Sequence, residues 1–469
     1  MSQRKKLLML SDDIRMPSGV GIMAKKVVLG TVDKYDWVNI GGAVKHPEAG
    51  KIFDLSEMVQ KEEGIADAYV KVYPVNGYGN EEILREVMTI EKDIDGIVHF
   101  TDPRFWGWLY NMEHELRHTT PIMYYNIWDD LPFPHWNENA YESCDLLMAI
   151  SKQTYNINKN VCVRKPRVEG VDLTYVPHGI DEKEFFPVSK SDPKFIEFKS
   201  GLTNNKTTPE FTLLYNSRNI QRKRPSDLVL GYTKFCDSLT KEEASKCLLI
   251  LHTDAVDQHG TDLPALVNAL CPYPVAFSNQ KLDVVQLNYL YNSCDVVCNP
   301  SSAEGFGLSH MEGMMTGTPT IATVVGGLQD QLGFKVNGEE LSVDHFTADI
   351  PSNSTGKISK EHGDWTYPLW PQLNLQGSPP TPYIYDSRVS IDQITAGISH
   401  WYYKSKEERE ECGLKGRAWA IENGFTVDRM CQAVKESVET CFTNFTPRER
   451  WTVINTKTKP IKHNTGILV

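Results

Sequence analysis

Long apolar runs are missing from this 469-residue chain. Its start, MSQRKKLLMLSDD, is basic and then offers four apolar residues, LLML. That is too short for the apolar region of a signal peptide and far too short for a membrane span. Paired cysteines are missing too: the ten are scattered, and Cys294 and Cys298 flank one apolar strand as core residues. The expectation is a cytoplasmic protein with reduced thiols. Positive charge is in deficit, 49 Lys and Arg against 61 Asp and Glu. A net charge of −12 excludes a generally basic, non-specific nucleic-acid binder, while leaving room for a local basic patch. No GxGxxG, no DxD pair in a suitable place and no obvious enzymic nucleophile is found.

What is present is the composition of an ordinary globular protein, 40% hydrophobic and 23% charged. Single cores stop growing near about 250–300 residues, so the length predicts more than one domain. Strand-like runs at Lys6–Leu10, Trp37–Ile40, Ala68–Val72, Gly96–Phe100, Pro121–Trp128 and Leu146–Ile150 alternate with helical stretches. A second series follows at Phe211–Asn216, Cys247–His252, Pro274–Phe277, Asp295–Asn299 and Thr318–Val324. Such alternation predicts α/β architecture with mostly parallel sheets covered on both faces. Two doubly wound sheets facing each other would bind a ligand in the cleft at the carboxyl ends of their strands. The expected division is an N-terminal domain over 1–188, a polar linker over 189–209 and a second domain over 210–426. A C-terminal helix and basic tail over 427–469 return toward the first domain. Within the second domain, 341–389 is rich in Pro, Trp, Tyr, Ser and Gly and is expected to be an irregular insertion, surface-packed or functional.

The stretch Ser301–Glu312, SSAEGFGLSHME, organises the second domain. Gly305 and Gly307 let backbone approach a ligand, and the helix that follows turns its positive end toward an anion. Glu312 can accept hydrogen bonds from vicinal hydroxyls such as those of a ribose. Glycines in a strand–turn–helix also serve plain packing, so glycine content alone leaves the choice open. E-G-F-G-L with a second Glu eight positions after the first resembles the nucleotide-sugar signature of retaining glycosyltransferases of family 4, with the GT-B fold. GTPTIATVVGGLQDQL, with Gly326–Gly327, resembles the next strand and glycine pair of that family. SRNIQRKRP resembles its G-R-x-x-x-x-K element, with Ser217 where glycine is common, and VPHGID resembles the segment closing its first domain, with His178 in place of Asn.

The resemblance implies a GT-B fold of two Rossmann-like domains and a nucleotide-diphosphate sugar as co-substrate, UDP-type favoured. It implies that Arg218 and Lys223 neutralise the leaving diphosphate, with Glu304 facing the transferred sugar. The donor would also meet the loop at Gly19 and Gly21, the base-reading strand end at Phe277, the Gly305–Phe306–Gly307 backbone, Leu308, and Glu312 on the ribose. No metal is expected, since cations and a helix end replace it. Acceptor contacts should come from the first domain: His99, Thr101, Asp102 and Arg104 after one strand, and Trp128, Asp129 and Asp130 after another, with Trp128 where the family often carries His. The chain is also similar to glycosyltransferases encoded by T4-like bacteriophages, which suggests hydroxymethylated cytosine in DNA as acceptor. Arg164, Lys165, Arg167 and the tail cations Arg448, Arg450, Lys457, Lys459 and Lys462 would then contact phosphates, and Trp106, Trp108 or Trp128 would stack on an extruded base. A glycan or small metabolite is the alternative acceptor. A competing motif, His114–Glu115–Leu116–Arg117–His118, matches the HExxH of zinc hydrolases, but no third ligand is found at the expected spacing.

Overall fold

The computed structural model describes residues 4–43, 45–162, 171–202 and 209–448. Arg164, Lys165, Arg167 and the tail cations beyond Arg448 lie outside the described residues. The first sheet is built from β1 (Lys5–Asp12), β2 (Tyr35–Ala43), β3 (Phe53–Asp54), β4 (Val70–Asn76), β5 (Ile94–Phe100), β6 (Ile122–Asn126), β7 (Leu146–Ala149) and β8 (Asp172–Tyr175). Its order is β3-β4-β2-β1-β5-β6-β7-β8, parallel except for β3. The second contains β9 (Phe211–Asn216), β10 (Cys247–His252), β11 (Val275–Ser278), β12 (Val296–Asn299) and β13 (Thr320–Thr323). Two short hairpin strands follow, β14 (Lys335–Val336) and β15 (Glu339–Glu340), then β16 (Thr366–Leu369), β17 (Gln372–Ser378) and β18 (Thr381–Arg388). The second sheet runs β11-β10-β9-β12-β13-β16, all parallel.

Strand chemistry explains the layering. In β1, Leu7 and Met9 enter one core while Leu8 and Leu10 enter another. In β12, Val297 faces one core and Val296 and Cys298 the other. Side chains alternate across a strand, so an uninterrupted apolar run is what a sheet covered on both faces requires. Phe306 lies in the cluster that also holds Leu7, Leu214 and Val297, so this apolar core spans both sheets.

Both sheets reverse their winding beside the first strand of the unit, between β1 and β5 and between β9 and β12. Loops leaving those strands diverge there and open a crevice. The segment Val427–Asn444 is a helix packed on the first domain, where Tyr35 donates to Glu439 at 2.8 Å and Lys435 pairs with Asp33 at 2.7 Å. Across the crevice, Asp330 accepts from Lys152 N at 2.8 Å, at the start of the helix Lys152–Val161, and from the Tyr175 hydroxyl at 3.1 Å. That carboxylate serves both as a clasp and as an anion at a helix N-terminus. All ten cysteines are free thiols, and among the described residues no helix is long and apolar enough to cross a membrane.

The segment 341–389 departs from the irregular insertion expected of its composition. Thr366–Leu369 joins the second sheet as its edge strand β16, with Pro368 on that edge, where a missing N–H costs least. Gln372–Ser378 and Thr381–Arg388 then form an antiparallel hairpin. The hairpin is tied to the second domain by Arg388 on Asp227 at 2.7 Å and by Arg224 on Asp386. It is tied to the first by Tyr385 N donating to Leu131 O at 2.7 Å, by the Tyr383 hydroxyl on Phe133 O at 3.3 Å and by Tyr383 edge-on to Trp136 at 4.5 Å. It therefore bridges the domains instead of lying on one surface.

Candidate active site

The two loops at the second switch point carry the charge. After β9 the chain makes a turn at Gln221–Lys223, Arg224 takes a left-handed φ of 54°, and Pro225 opens the next helix. After β12 the chain runs through Ser301–Phe306 to Gly307, whose φ of 96° suits glycine and which precedes the helix Leu308–Met315. The loops are stitched together: Ser302 N donates to Arg222 O at 2.7 Å and Arg222 Nη1 donates to Ala303 O at 2.6 Å.

Between them lies a buried ion pair. Lys223 Nζ donates to Glu304 Oε1, which also accepts from Asn299 Nδ2 at 3.3 Å and Ser301 Oγ at 3.2 Å. Side-chain exposure is 11% for Lys223 and 7% for Glu304. Burial pulls the Lys223 ammonium down to about 8, with Glu304 opposing. Burial raises Glu304, but Lys223 and Arg222 more than offset it and the carboxyl is held below its usual range. Arg222 adds a guanidinium 3.7 Å from Glu304 Oε2.

Arg218 is placed differently from its expected partner. Its Nε donates to Asp257 at 2.9 Å, and its side chain is 60% exposed. The loop thus brings Lys223 and Arg222 to Glu304 and leaves Arg218 at the rim. Glu312 accepts from the Tyr291 hydroxyl at 2.6 Å, which accepts in turn from Asn216 Nδ2 at 2.7 Å. Burial raises the Glu312 carboxyl, and Tyr291 and nearby Lys26 counter this.

The glycines divide by role. Gly19 starts the helix Gly19–Thr31 and faces Leu308 across the crevice, where an added Cβ would lie 3.5 Å from Leu308 Cδ1. Gly21 instead supports the turn: its N–H bonds Ser18 Oγ at 3.0 Å, and an added Cβ would fall 2.7 Å from Met16 O. Gly326, with φ of 45°, lies against the loop that carries Glu304, since a Cβ there would come 2.0 Å from Glu304 O and 3.4 Å from Asp129 Cβ. The Gly305 backbone approaches Ile127 O of the first domain, 3.0 Å from an added Cβ. The Phe306 ring is buried against His178 at 5.4 Å, so only its backbone is available to a ligand, and the Phe277 ring packs into the second-domain core.

Of the acceptor candidates, Asp129 comes nearest this centre, with Asp130 beside it within the field of Arg222. Burial raises the Asp129 carboxyl, against the pull of Arg222 and Lys223 and with the push of Glu304. His99 is fully buried, 2.6 Å from the Tyr110 hydroxyl and stacked on Tyr124 at 4.8 Å, and burial takes it down to about 3. It is a neutral core residue, not an acceptor contact. Asp102 caps the turn Pro103–Phe105 and holds Arg104, whose guanidinium lies 5.1 Å from the Trp128 ring. Trp128 is 8% exposed and donates to Asp130 O at 2.9 Å, while Trp106 is 0% exposed, so neither offers a ring face for stacking. Trp108 is half-buried beside Trp106 at 5.6 Å.

The HExxH motif is not assembled. The helix Glu113–Leu116 ends before His118, Glu115 pairs with Arg85, and His118 donates to Arg448 O at 2.9 Å. Among the described residues no group of three or more His, Cys, Asp or Glu could hold a metal. Asn216, Arg222, Tyr291, Asn299 and Ser301 are the site residues that the motifs did not single out.

Residues 277–343 match the family model described as glycosyl transferases group 1. Mannosylfructose-phosphate synthase of Agrobacterium fabrum is 26% identical over 193 residues, 40% of this chain and 39% of that protein. The chain thus spans about two-fifths of that relative's length. Among solved structures, Anabaena HepE in complex with UDP and glucose superposes with a TM-score of 0.61 at 15% identity, covering 93% of this chain and 100% of that one. Sucrose-phosphate synthase from Thermosynechococcus elongatus does so at 0.61 and 16%, covering 94% and 100%. The fold is GT-B, two Rossmann-like domains facing across a crevice.

Proposed function

We propose that this chain is a retaining glycosyltransferase that moves a sugar from a nucleotide-diphosphate donor, UDP-type favoured, to a hydroxyl acceptor without a metal ion. The observation that carries the reading is the buried Lys223–Glu304 pair at the second switch point, beside the Gly307 helix start. A diphosphate seated there meets Lys223, the helix N-terminus and, once it leaves Asp257, Arg218. In the reaction the anomeric carbon–oxygen bond to the diphosphate breaks and a bond to the acceptor oxygen forms on the same face. The departing phosphate oxygen takes the acceptor proton. Cations aimed at the developing negative charge lower the barrier without covalent participation. Mass spectrometry of the purified protein with a panel of nucleotide sugars tests this, since slow donor hydrolysis names the sugar. No hydrolysis and no transfer across the panel removes the proposal.

Glu312 is assigned to the ribose hydroxyls, with Tyr291 and Asn216 orienting it. Glu312→Ala should raise donor KM by about tenfold, and Tyr291→Phe by about threefold, with kcat nearly retained, as expected when a ground-state hydrogen bond is lost. Unchanged donor KM in both variants discards the assignment.

The lowered Lys223 sets a pH dependence. Donor kcat/KM, which reports the free enzyme, should fall about tenfold per pH unit above about 8 as the ammonium is lost. Stability moves the other way. The folded state releases this proton near 8 and the unfolded chain near 10.5, so this group's contribution rises with pH between those values. Activity flat to pH 10 contradicts the role given to the lysine.

A further inference from the structure

A cavity of about 290 Å³ adjoins the transfer centre. Asp129, Asp130 and Ser302 line it, and most of the remaining lining comes from 349–357 and the β17–β18 hairpin, including Asp349, Lys357 and Tyr385. Asp129 ties the cavity to the chemistry, because it packs on Gly326, which in turn lies against Glu304 O. The hairpin is held across the crevice at Leu131, Phe133 and Trp136 and on its own domain at Asp227, so its wall is tied to both domains.

We infer that the 341–389 segment is the acceptor-selecting wall of the site, and that the subsite takes one compact, uncharged, hydroxyl-bearing ring. The inference rests on the transferase reading above. Three properties lead to it. The volume is at the lower limit of small-molecule sites, about 300–1,000 Å³, which is room for one ring and not for an oligosaccharide. The polar lining is rich in hydrogen-bond acceptors, with carboxyl groups at Asp129, Asp130 and Asp349 and hydroxyls at Ser302, Tyr385 and Ser387. Such a lining receives hydroxyl donors. A phosphate placed there would face the carboxyl groups of Asp129 and Asp349 beside Asp130, which burial and Asp129 push toward its neutral form, with Lys357 as its one cation in the lining, an unfavourable exchange for its hydration. Asp349 and Lys357 are exposed and stand at the mouth, where they meet an entering acceptor first.

A free sugar or polyol carries this chemistry, and so does a hydroxymethylated pyrimidine turned out of a DNA strand. The experiment uses the full chain and the donor identified by hydrolysis. It compares neutral monosaccharides and polyols, their phosphate esters, and an oligonucleotide containing hydroxymethylcytosine, with the product read by mass. Neutral ring acceptors should exceed their phosphate esters at least tenfold in kcat/KM. Asp349→Lys should shift that ratio at least tenfold toward the ester, and Tyr385→Ala should raise acceptor KM at least fivefold. The Tyr385 backbone bond to Leu131 survives both changes. Transfer to the oligonucleotide with steep salt inhibition identifies the polymer-borne source, and transfer to a free sugar the other; either supports the subsite. Preference for phosphate esters in the wild type, or a ratio unmoved by Asp349→Lys together with an unmoved acceptor KM in Tyr385→Ala, overturns it. Donor hydrolysis by the wild type separates this failure from failure of the transferase reading.

Discussion

Lys223→Met is expected to lower turnover by about 10²- to 10³-fold, the usual loss when one group stabilising transition-state charge is removed. The same change strands the Glu304 carboxylate, 7% exposed, with only Asn299, Ser301 and a more distant Arg222 around it. Breaking a buried pair from one side typically costs about 3–5 kcal/mol, so the single variant should also unfold at lower temperature. Lost activity alone would therefore be ambiguous. The double variant Lys223→Met/Glu304→Gln resolves it, because replacing both charges with groups of similar shape removes the uncompensated carboxylate. Its melting temperature should return most of the way to wild type while turnover stays low. A double variant that recovers turnover would show that the lysine matters only as a counter-ion for Glu304, and a single variant within tenfold of wild type would show that it does not meet the diphosphate at all.

The alternating sheets were legible because strands buried on both faces read as short apolar runs, and parallel pairing forces a helix between them. Lys223 and Glu304 stand 81 positions apart, and only the adjacency of β9 and β12 brings them together. No local pattern in either segment states that contact; the resemblance assigned Lys223 to the diphosphate and Glu304 to the sugar without pairing them. Arg222 has no place in the motif, although its position beside Lys223 brings it within 3.7 Å of Glu304. Tyr291 carries no signal, since its importance arises from the packing of the helix Val284–Asn292 next to Glu312. His99 misled for a definable reason. A histidine at a strand end is read as reachable, and the Trp106 and Tyr110 rings that cover it come from the cap and body of the short helix Gly107–Asn111. In 341–389 prolines interrupt β16 and β18, whose burial does not alternate strictly, and the strand β17 is exposed throughout, so none of the three has an apolar alternation to read.

Arg218→Ala is expected to lower kcat by about 10²-fold, although its guanidinium faces Asp257 and not the crevice. The reason is mobility at a favourable position. The side chain leaves the carboxyl end of β9, is 60% exposed, and is held through Nε by one carboxylate. The arginine end of this pair is solvated and held by a single bond, and a diphosphate offers a bidentate partner with more charge. Asp257 loses little when the arginine departs, because His259 N also donates to it at 2.8 Å. The ion pair then acts as a competitor for the donor, and its two halves should respond with opposite signs: Asp257→Asn should lower donor KM by about twofold to fivefold and leave kcat near wild type. Arg218→Lys should restore only part of the lost turnover, since a point charge cannot span two phosphate oxygens. If Arg218→Ala turns over normally and Arg222→Ala does not, the guanidinium that meets the leaving group is the one already beside Glu304. The five-residue spacing from Arg218 to Lys223 would then mark only the course of the loop, and the diphosphate would lie deeper in the crevice, between Lys223 and the Gly307 helix.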